Sequence, residues 1–170
     1  MEFVIAKHGG FCRGVRKAVD RAMSIDPENT YVFGEIIHNP EVVQSIAARG
    51  VETVEELSLV PDGATLIIRS HGVGKGVYEY CRTHGITIVD CTCEFVKRTQ
   101  TIIDEAYRKG KTIVVIGEET HPEVIGLQGW CEGKGYIFSS DKDDFSVLEG
   151  KNCVVVAQTT FSVEKFEKII

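Results

Sequence analysis

No stretch of this 170-residue sequence is long and apolar enough to suggest a membrane span. There is no basic excess either: 19 Lys and Arg stand against 25 Asp and Glu, a net charge of −6. That excludes a general nucleic-acid surface, which needs clustered cations to displace counterions. The six cysteines, at positions 12, 81, 91, 93, 131 and 153, contain no Cys-x-x-Cys pair. Their spacing argues against zinc-finger and thioredoxin-like sites. The opening Met-Glu-Phe-Val-Ile-Ala-Lys is too short and too acidic at its front for a signal peptide, so the cytoplasm is the expected compartment. In that compartment the thiols are reduced and available for metal or redox chemistry. Disorder is excluded by a 43% hydrophobic content, enough to bury a real core.

What is present is one plan used repeatedly. Six apolar runs rich in β-branched residues, at 3–6, 31–33, 65–68, 86–89, 112–116 and 154–157, each end in a polar or glycine-bearing loop. Those loops carry Cys12, His38, His71, Cys93, the His121-Pro122-Glu123 segment and Gln158-Thr159-Thr160. Helical periodicity follows. Val15, Ala18, Val19, Ala22 and Met23 form an apolar stripe, and Asn39-Pro40 is a helix start ending at Gly50. The expected fold class is therefore α/β, with two small lobes, each a mainly parallel sheet flanked by helices. The lobes are expected at 1–94 and 95–170. Residues 51–61 read as a short surface helix whose Glu52, Glu55 and Glu56 are a solvated face. In open parallel sheets, sites are built at the C-terminal ends of strands.

Taken singly, each candidate has a plain structural explanation. Cys12 alone reads as a small buried hydrophobe, and His38 as a turn residue. Thr120 and Glu123 read as N-cap and capping-box partner of a helix that carries Pro122 in its first turn. Trp130 and Cys131 read as packing residues, and His8 and His84 as loop or helix-end residues. Taken together, Cys12, Cys93, His38, His71, His121, Glu123 and Thr159 point to one pocket at the strand ends. Soft thiolates select iron–sulfur clusters, zinc or copper(I). Imidazoles next to helix N-termini suit a phosphate or diphosphate. A carboxyl group near an anion is suited to deliver a proton. Electrons, a bound diphosphate and a proton source indicate reductive chemistry.

Six ordered motifs carry a resemblance across all 170 residues. They are Gly10-Phe11-Cys12-Arg13-Gly14-Val15, Ile37-His38-Asn39, Ser70-His71-Gly72-Val73, Asp90-Cys91-Thr92-Cys93, His121-Pro122-Glu123-Val124 and Gln158-Thr159-Thr160. The sequence resembles the 4-hydroxy-3-methylbut-2-enyl diphosphate reductase (IspH/LytB) family. That resemblance implies the last step of the methylerythritol phosphate route to isoprenoids, reductive removal of an allylic hydroxyl to give isopentenyl and dimethylallyl diphosphates. It implies a [4Fe–4S] cluster held in part by Cys12 and Cys93, with Cys91 at a place where the family accepts a non-thiol residue. It also implies diphosphate binding by His38, His71 and His121, proton supply by Glu123, and positioning or relay by Thr159. The implied partners are the isoprenoid diphosphate substrate and a ferredoxin or flavodoxin electron donor, with neither nucleic acid nor membrane.

The family architecture has three lobes, and the third carries a third cysteine and a Ser/Asn group. Neither motif is found here, so the sequence is expected to be an N-terminal portion that on its own binds a cluster poorly and turns over slowly or not at all. Two other classes stay open at the level of sequence: a non-catalytic diphosphate-binding module, and a zinc protein using Cys12, Cys93 and a histidine.

Overall fold

The computed structural model describes residues 3–4 and 9–170. The expected strand over 3–6 runs into 5–8, outside the described residues, and His8 lies there too. Elsewhere, short β-branched strands alternate with amphipathic helices. Such crossovers place successive strands parallel and cover both faces of the sheet. The first sheet has the order β2-β1-β3-β4. Its strands are β1 (Thr30–Phe33), β2 (Glu52–Val54), β3 (Thr65–Ile68) and β4 (Thr87–Asp90), all parallel. Helices α1 (Arg13–Ser24), α2 (Pro40–Ala47) and α3 (Lys75–Thr83) accompany them. The second sheet, β6-β5-β7, is also parallel and is built from β5 (Thr112–Ile116), β6 (Tyr136–Phe138) and β7 (Cys153–Ala157). Helices α4 (Glu94–Arg108), α5 (Pro122–Gln128) and α6 (Val163–Ile169) belong to this half of the chain.

The cores follow from strand alternation. On β3, Ile67 packs with Ala18, Ala22, Val32 and Ile36 on one face, while Leu66 packs with Cys81, Val54 and Ile86 on the other. Leu66, Ile67 and Ile68 are wholly buried, and each contributes about 1.5–3 kcal/mol through removal from water. The second core joins Ile103 and Ala106 of α4 to Ile113 and Val115 of β5 and to Val124 and Leu127 of α5.

Register decides where the loops emerge. Phe33, Ile68 and Asp90 are neighbours across the first sheet, so the loops after β1, β3 and β4 leave side by side. Ile116 pairs with Ala157 in the second sheet, which sets the loops after β5 and β7 together in the same way.

The two halves meet backbone to backbone. A Cβ on Gly129 would lie 2.4 Å from the Gly74 Cα, and one on Gly126 would lie 3.3 Å from the Gly72 carbonyl oxygen. Only glycine allows this approach, in which the segment after His71 lies against the end of α5. The Trp130 Nε1–H (3.0 Å) and the Gln100 Nε2–H (3.3 Å) both donate to the Val73 carbonyl and close the seam. Trp130 thus packs, and also satisfies a buried acceptor.

The segment 51–61 corrects the expectation of a helix. Glu52, Thr53 and Val54 form an edge strand paired with Tyr31, Val32 and Phe33, followed by a single 3-10 turn at Leu57–Leu59. An edge strand buries only part of its surface, here Val54, so its glutamate stays in water without helical spacing. Strand β6 left no expectation, because three residues are too few to establish a period.

Candidate functional site

The thiols of Cys12 and Cys93 stand at the N-caps of α1 and α4. Their sulfurs converge over Gly14: a Cβ there would lie 2.8 Å from the Cys93 Sγ and 4.0 Å from the Cys12 Sγ. Gly14 therefore leaves the two thiols a common cradle that any side chain would fill. Cys91 is buried beside them, and burial pushes its thiol up to about 11, so it remains protonated. Cys81 and Cys131 lie within the hydrophobic cores, and Cys153 begins β7, at the end of the second sheet opposite the loops.

The thiol loop adjoins the histidine loops. The Cys93 N–H donates to the Ser70 carbonyl at 2.9 Å, immediately before His71. Gly72 turns the chain there with φ +73, and a Cβ would strike the Gln100 amide at 2.4 Å. The rings of His38 and His71 are 4.5 Å apart between centroids, with His121 at 6.0 and 5.6 Å. Among the described residues, these imidazoles are the group of His, Cys, Asp or Glu whose ligand atoms all lie within 4.8 Å. No comparable set joins the thiols to a histidine, so the described residues do not form the Cys-Cys-His zinc centre considered from sequence.

Burial depresses the His71 imidazole to about 4, helped by His38, Arg69 and His121. Burial also lowers His121. Both shifts favour neutral imidazoles at His71 and His121, beside the Arg69 guanidinium. The Nδ1 atom of His71 and the Nε atom of Arg69 are buried without hydrogen-bond partners among the described residues. Buried donors and acceptors in native proteins are nearly always paired, so unpaired ones at a cluster of nitrogen groups suit an incoming anion. Arg69 carried no sequence expectation. Its signal is the place directly after β3, two residues before His71, together with Gly34 opposite: a Cβ there would lie 3.2 Å from the guanidinium carbon.

Glu123 and Thr159 meet across the second half. Glu123 is 1% exposed, yet each of its oxygens accepts a hydrogen bond of 2.7 Å, one from the Thr159 N–H and one from the Thr159 hydroxyl. The expected cap of α5 needs correction. His121, not Thr120, is the N-cap, and its Nδ1 accepts the Glu123 N–H at 3.1 Å. The neutral ring then carries its proton on Nε2. The Glu123 side chain turns inward to Thr159 and forms no capping box. Gln158 belongs to the last of the six motifs. Its Oε1 accepts the Glu118 N–H at 3.0 Å and its Nε2 donates to the Thr160 hydroxyl at 2.8 Å, which ties the two loops together. His84 is the C-cap of α3 and stacks on Tyr80, away from the trio.

A family model described as LytB protein matches residues 3–170. The chain belongs to the LytB family. Among curated LytB relatives, the 4-hydroxy-3-methylbut-2-enyl diphosphate reductase of Caldanaerobacter subterraneus subsp. tengcongensis is 43% identical over 176 residues, covering 100% of this chain and 61% of that protein. The enzyme of the same name from Clostridioides difficile is 38% identical over 175 residues, covering 100% and 63%. The solved E-1-hydroxy-2-methyl-but-2-enyl-4-diphosphate reductase of Plasmodium falciparum matches with a TM-score of 0.84 and 28% identity, over 94% of this chain and 52% of its own. A second solved structure, described as (E)-4-hydroxy-3-methyl-but-2-enyl diphosphate reductase, the terminal enzyme of the non-mevalonate pathway, gives 0.77 and 33%, over 98% and 61%. This LytB chain thus spans 61% of the length of the first of these relatives. None of its helices, among the described residues, is long and apolar enough to cross a membrane.

Proposed function

We propose that this chain supplies the diphosphate grip, the proton donor and two cluster thiolates of an iron–sulfur reductase acting on 4-hydroxy-3-methylbut-2-enyl diphosphate. The supporting observation is convergence. Thiols, imidazoles and a carboxyl–hydroxyl pair, distributed from residue 12 to residue 159, emerge on adjoining loops at the C-terminal ends of two parallel sheets. The overall reaction cleaves the allylic C–O bond, consumes two electrons and two protons, and releases water with isopentenyl or dimethylallyl diphosphate.

Cys12 and Cys93 fit a [4Fe–4S] cluster in part, because the cradle over Gly14 presents two thiolates to one point. Cys91, buried beside them and held protonated, is not counted with these two ligands. When bound, such a cluster supplies electrons and a Lewis-acidic iron. His38, His71 and His121, with Arg69, hold the diphosphate. The anion supplies negative charge that favours the protonated forms of His71 and His121, now held low, and it offers the His71 Nδ1 and Arg69 Nε the partners they lack among the described residues. Glu123 gives its proton toward the leaving hydroxyl, and the Thr159 hydroxyl, 2.7 Å away, fixes the carboxyl and can pass the proton on. Residues 1–94 and 95–170 form two lobes with the site between them. Electrons come from a ferredoxin or flavodoxin, and six free cysteines suit the reducing cytoplasm.

The test is anaerobic reconstitution of the complete protein that carries this sequence, followed by visible and electron paramagnetic resonance spectra and product analysis with a small-molecule reductant. A cluster signal and both isoprenoid diphosphates are expected. A colourless protein that binds diphosphate but consumes no reductant would instead be the non-catalytic module. A colourless protein that holds stoichiometric zinc on the thiols would be the third class.

A further inference from the structure

We propose that the exposed basic flank of α1, beside the cluster thiols, is the docking surface for a small acidic electron-carrier protein; this rests on the reductase reading above. Cys12 is the N-cap of α1, and the helix then presents Arg13, Arg16, Lys17 and Arg21, all exposed. Lys97, in the first turns of α4, faces the same cleft, a cavity of about 250 Å³ whose wall includes Cys91 and Cys93.

Charge singles out this surface. Five cations (Arg13, Arg16, Lys17, Arg21 and Lys97) stand there with three carboxylates (Asp20, Asp90 and Glu94), a net +2 on a chain whose total is −6. Lys17 pairs with Glu94 and Lys97 with Asp90, each at 2.7 Å. Arg13, Arg16 and Arg21 have no ion pair among the described residues. An acidic protein is therefore repelled by the chain as a whole and attracted at this flank, which steers its encounter. Phe95, 73% exposed in the same cavity wall, adds an aromatic contact of the kind that anchors interfaces. The location suits electron delivery, because a carrier seated here lies over Cys93 and the helix start at Cys12, while the imidazole trio stays free for diphosphate. Reductive C–O cleavage needs two electrons, and a one-electron carrier must dock and leave twice. A weak, charge-steered contact serves that cycle better than a tight apolar one.

The experiment measures binding of an acidic ferredoxin to the complete reconstituted protein by calorimetry, as salt rises from about 0.02 to 0.2 M. Affinity is expected to fall at least about tenfold over that range, and again at least about tenfold in the double reversal Arg16→Glu/Arg21→Glu. Reversal of Lys134 and Lys168, which lie outside this flank, is expected to leave binding unchanged. Diphosphate affinity and turnover with a small-molecule reductant are controls that the Arg16/Arg21 variant should retain, and their absence from the unaltered protein would defeat the reductase reading instead. Salt-insensitive binding, no binding, or equal losses from both pairs of reversals would overturn the docking surface.

Discussion

The imidazole trio and the Glu123–Thr159 pair lie at neighbouring strand ends, yet they are built on opposite terms. The trio is partly exposed and incompletely bonded: His71 is held far below its usual value, and its Nδ1 and the Arg69 Nε have no hydrogen-bond partner among the described residues. The carboxyl of Glu123 is buried, and both oxygens are occupied. An incompletely bonded cluster of nitrogen groups gains its partners from a ligand, whereas a satisfied carboxyl is already fixed in place before the ligand arrives. On the proposed function, binding and proton delivery are thus separated into a responsive half and a preset half.

The largest effect is expected from Glu123→Gln in the complete protein. Glutamine keeps the shape, its oxygen can accept the Thr159 N–H, and its amide can donate to the Thr159 hydroxyl, so the fold and the diphosphate affinity should change little. Only the transferable proton is lost, and turnover should fall about 10²–10⁴-fold. Steady-state kinetics with denaturation curves check this, and a large loss of stability would show that the pair is structural. Next is Gly129→Ala. Its Cβ would meet the Gly74 backbone, which cannot move aside as a side chain can. Overpacking of this kind costs about 1–3 kcal/mol, and parting the seam should separate His71 from His121 and weaken diphosphate binding. Gly76→Ala is the control, since a Cβ there meets nothing within 4 Å in α3.

Much of this organisation was legible in the sequence, because it is periodic or local. The apolar stripe from Val15 to Met23 gave α1, Asn39-Pro40 gave the start of α2, and Asn39 does accept the Val42 N–H. Polar residues at strand ends marked the loops that the register later sets together. What escaped depends on partners distant in the chain. Gly126 and Gly129 look like ordinary helix residues until Gly72 and Gly74 face them, and Gly14 is explained only by a sulfur 79 positions later, at Cys93. Arg69 reads as the end of a strand until His38 and His121 arrive beside His71. Glu52 to Val54 could be placed on a sheet edge only once β1 was known to need a neighbour.

Gln158→Ala attacks the preset half less directly. It leaves the Glu118 N–H without its acceptor and the Thr160 hydroxyl without its donor, at a cost of about 1–3 kcal/mol. Turnover should fall less than in Glu123→Gln, because Thr159 loses support but keeps its own bonds to the carboxyl. The responsive half is probed by protons. His71 titrates near 4 in the folded chain and near 6.5 when unfolded, so between those values the unfolded chain holds more protons and stability falls as pH falls. On the proposed function, a bound diphosphate raises the His71 value, so binding should take up protons and tighten as pH drops toward 4. Calorimetry in buffers of different ionisation heat measures the uptake, and His71→Asn should abolish most of it.

The smallest effect separates the sequence reading of α5 from its structure. Were Thr120 the N-cap, Thr120→Ala would remove an acceptor for a first-turn N–H and cost about 1 kcal/mol. Thr120 is exposed, however, and His121 already accepts the Glu123 N–H. The substitution should therefore change stability by less than about 0.5 kcal/mol, within the range of a surface change away from any cap or core. Denaturant midpoints of the two proteins decide it. A full kilocalorie would return the cap to Thr120 and leave the His121 Nδ1 free, and the tautomer that leaves Nε2–H available to the proposed diphosphate would then lose its anchor.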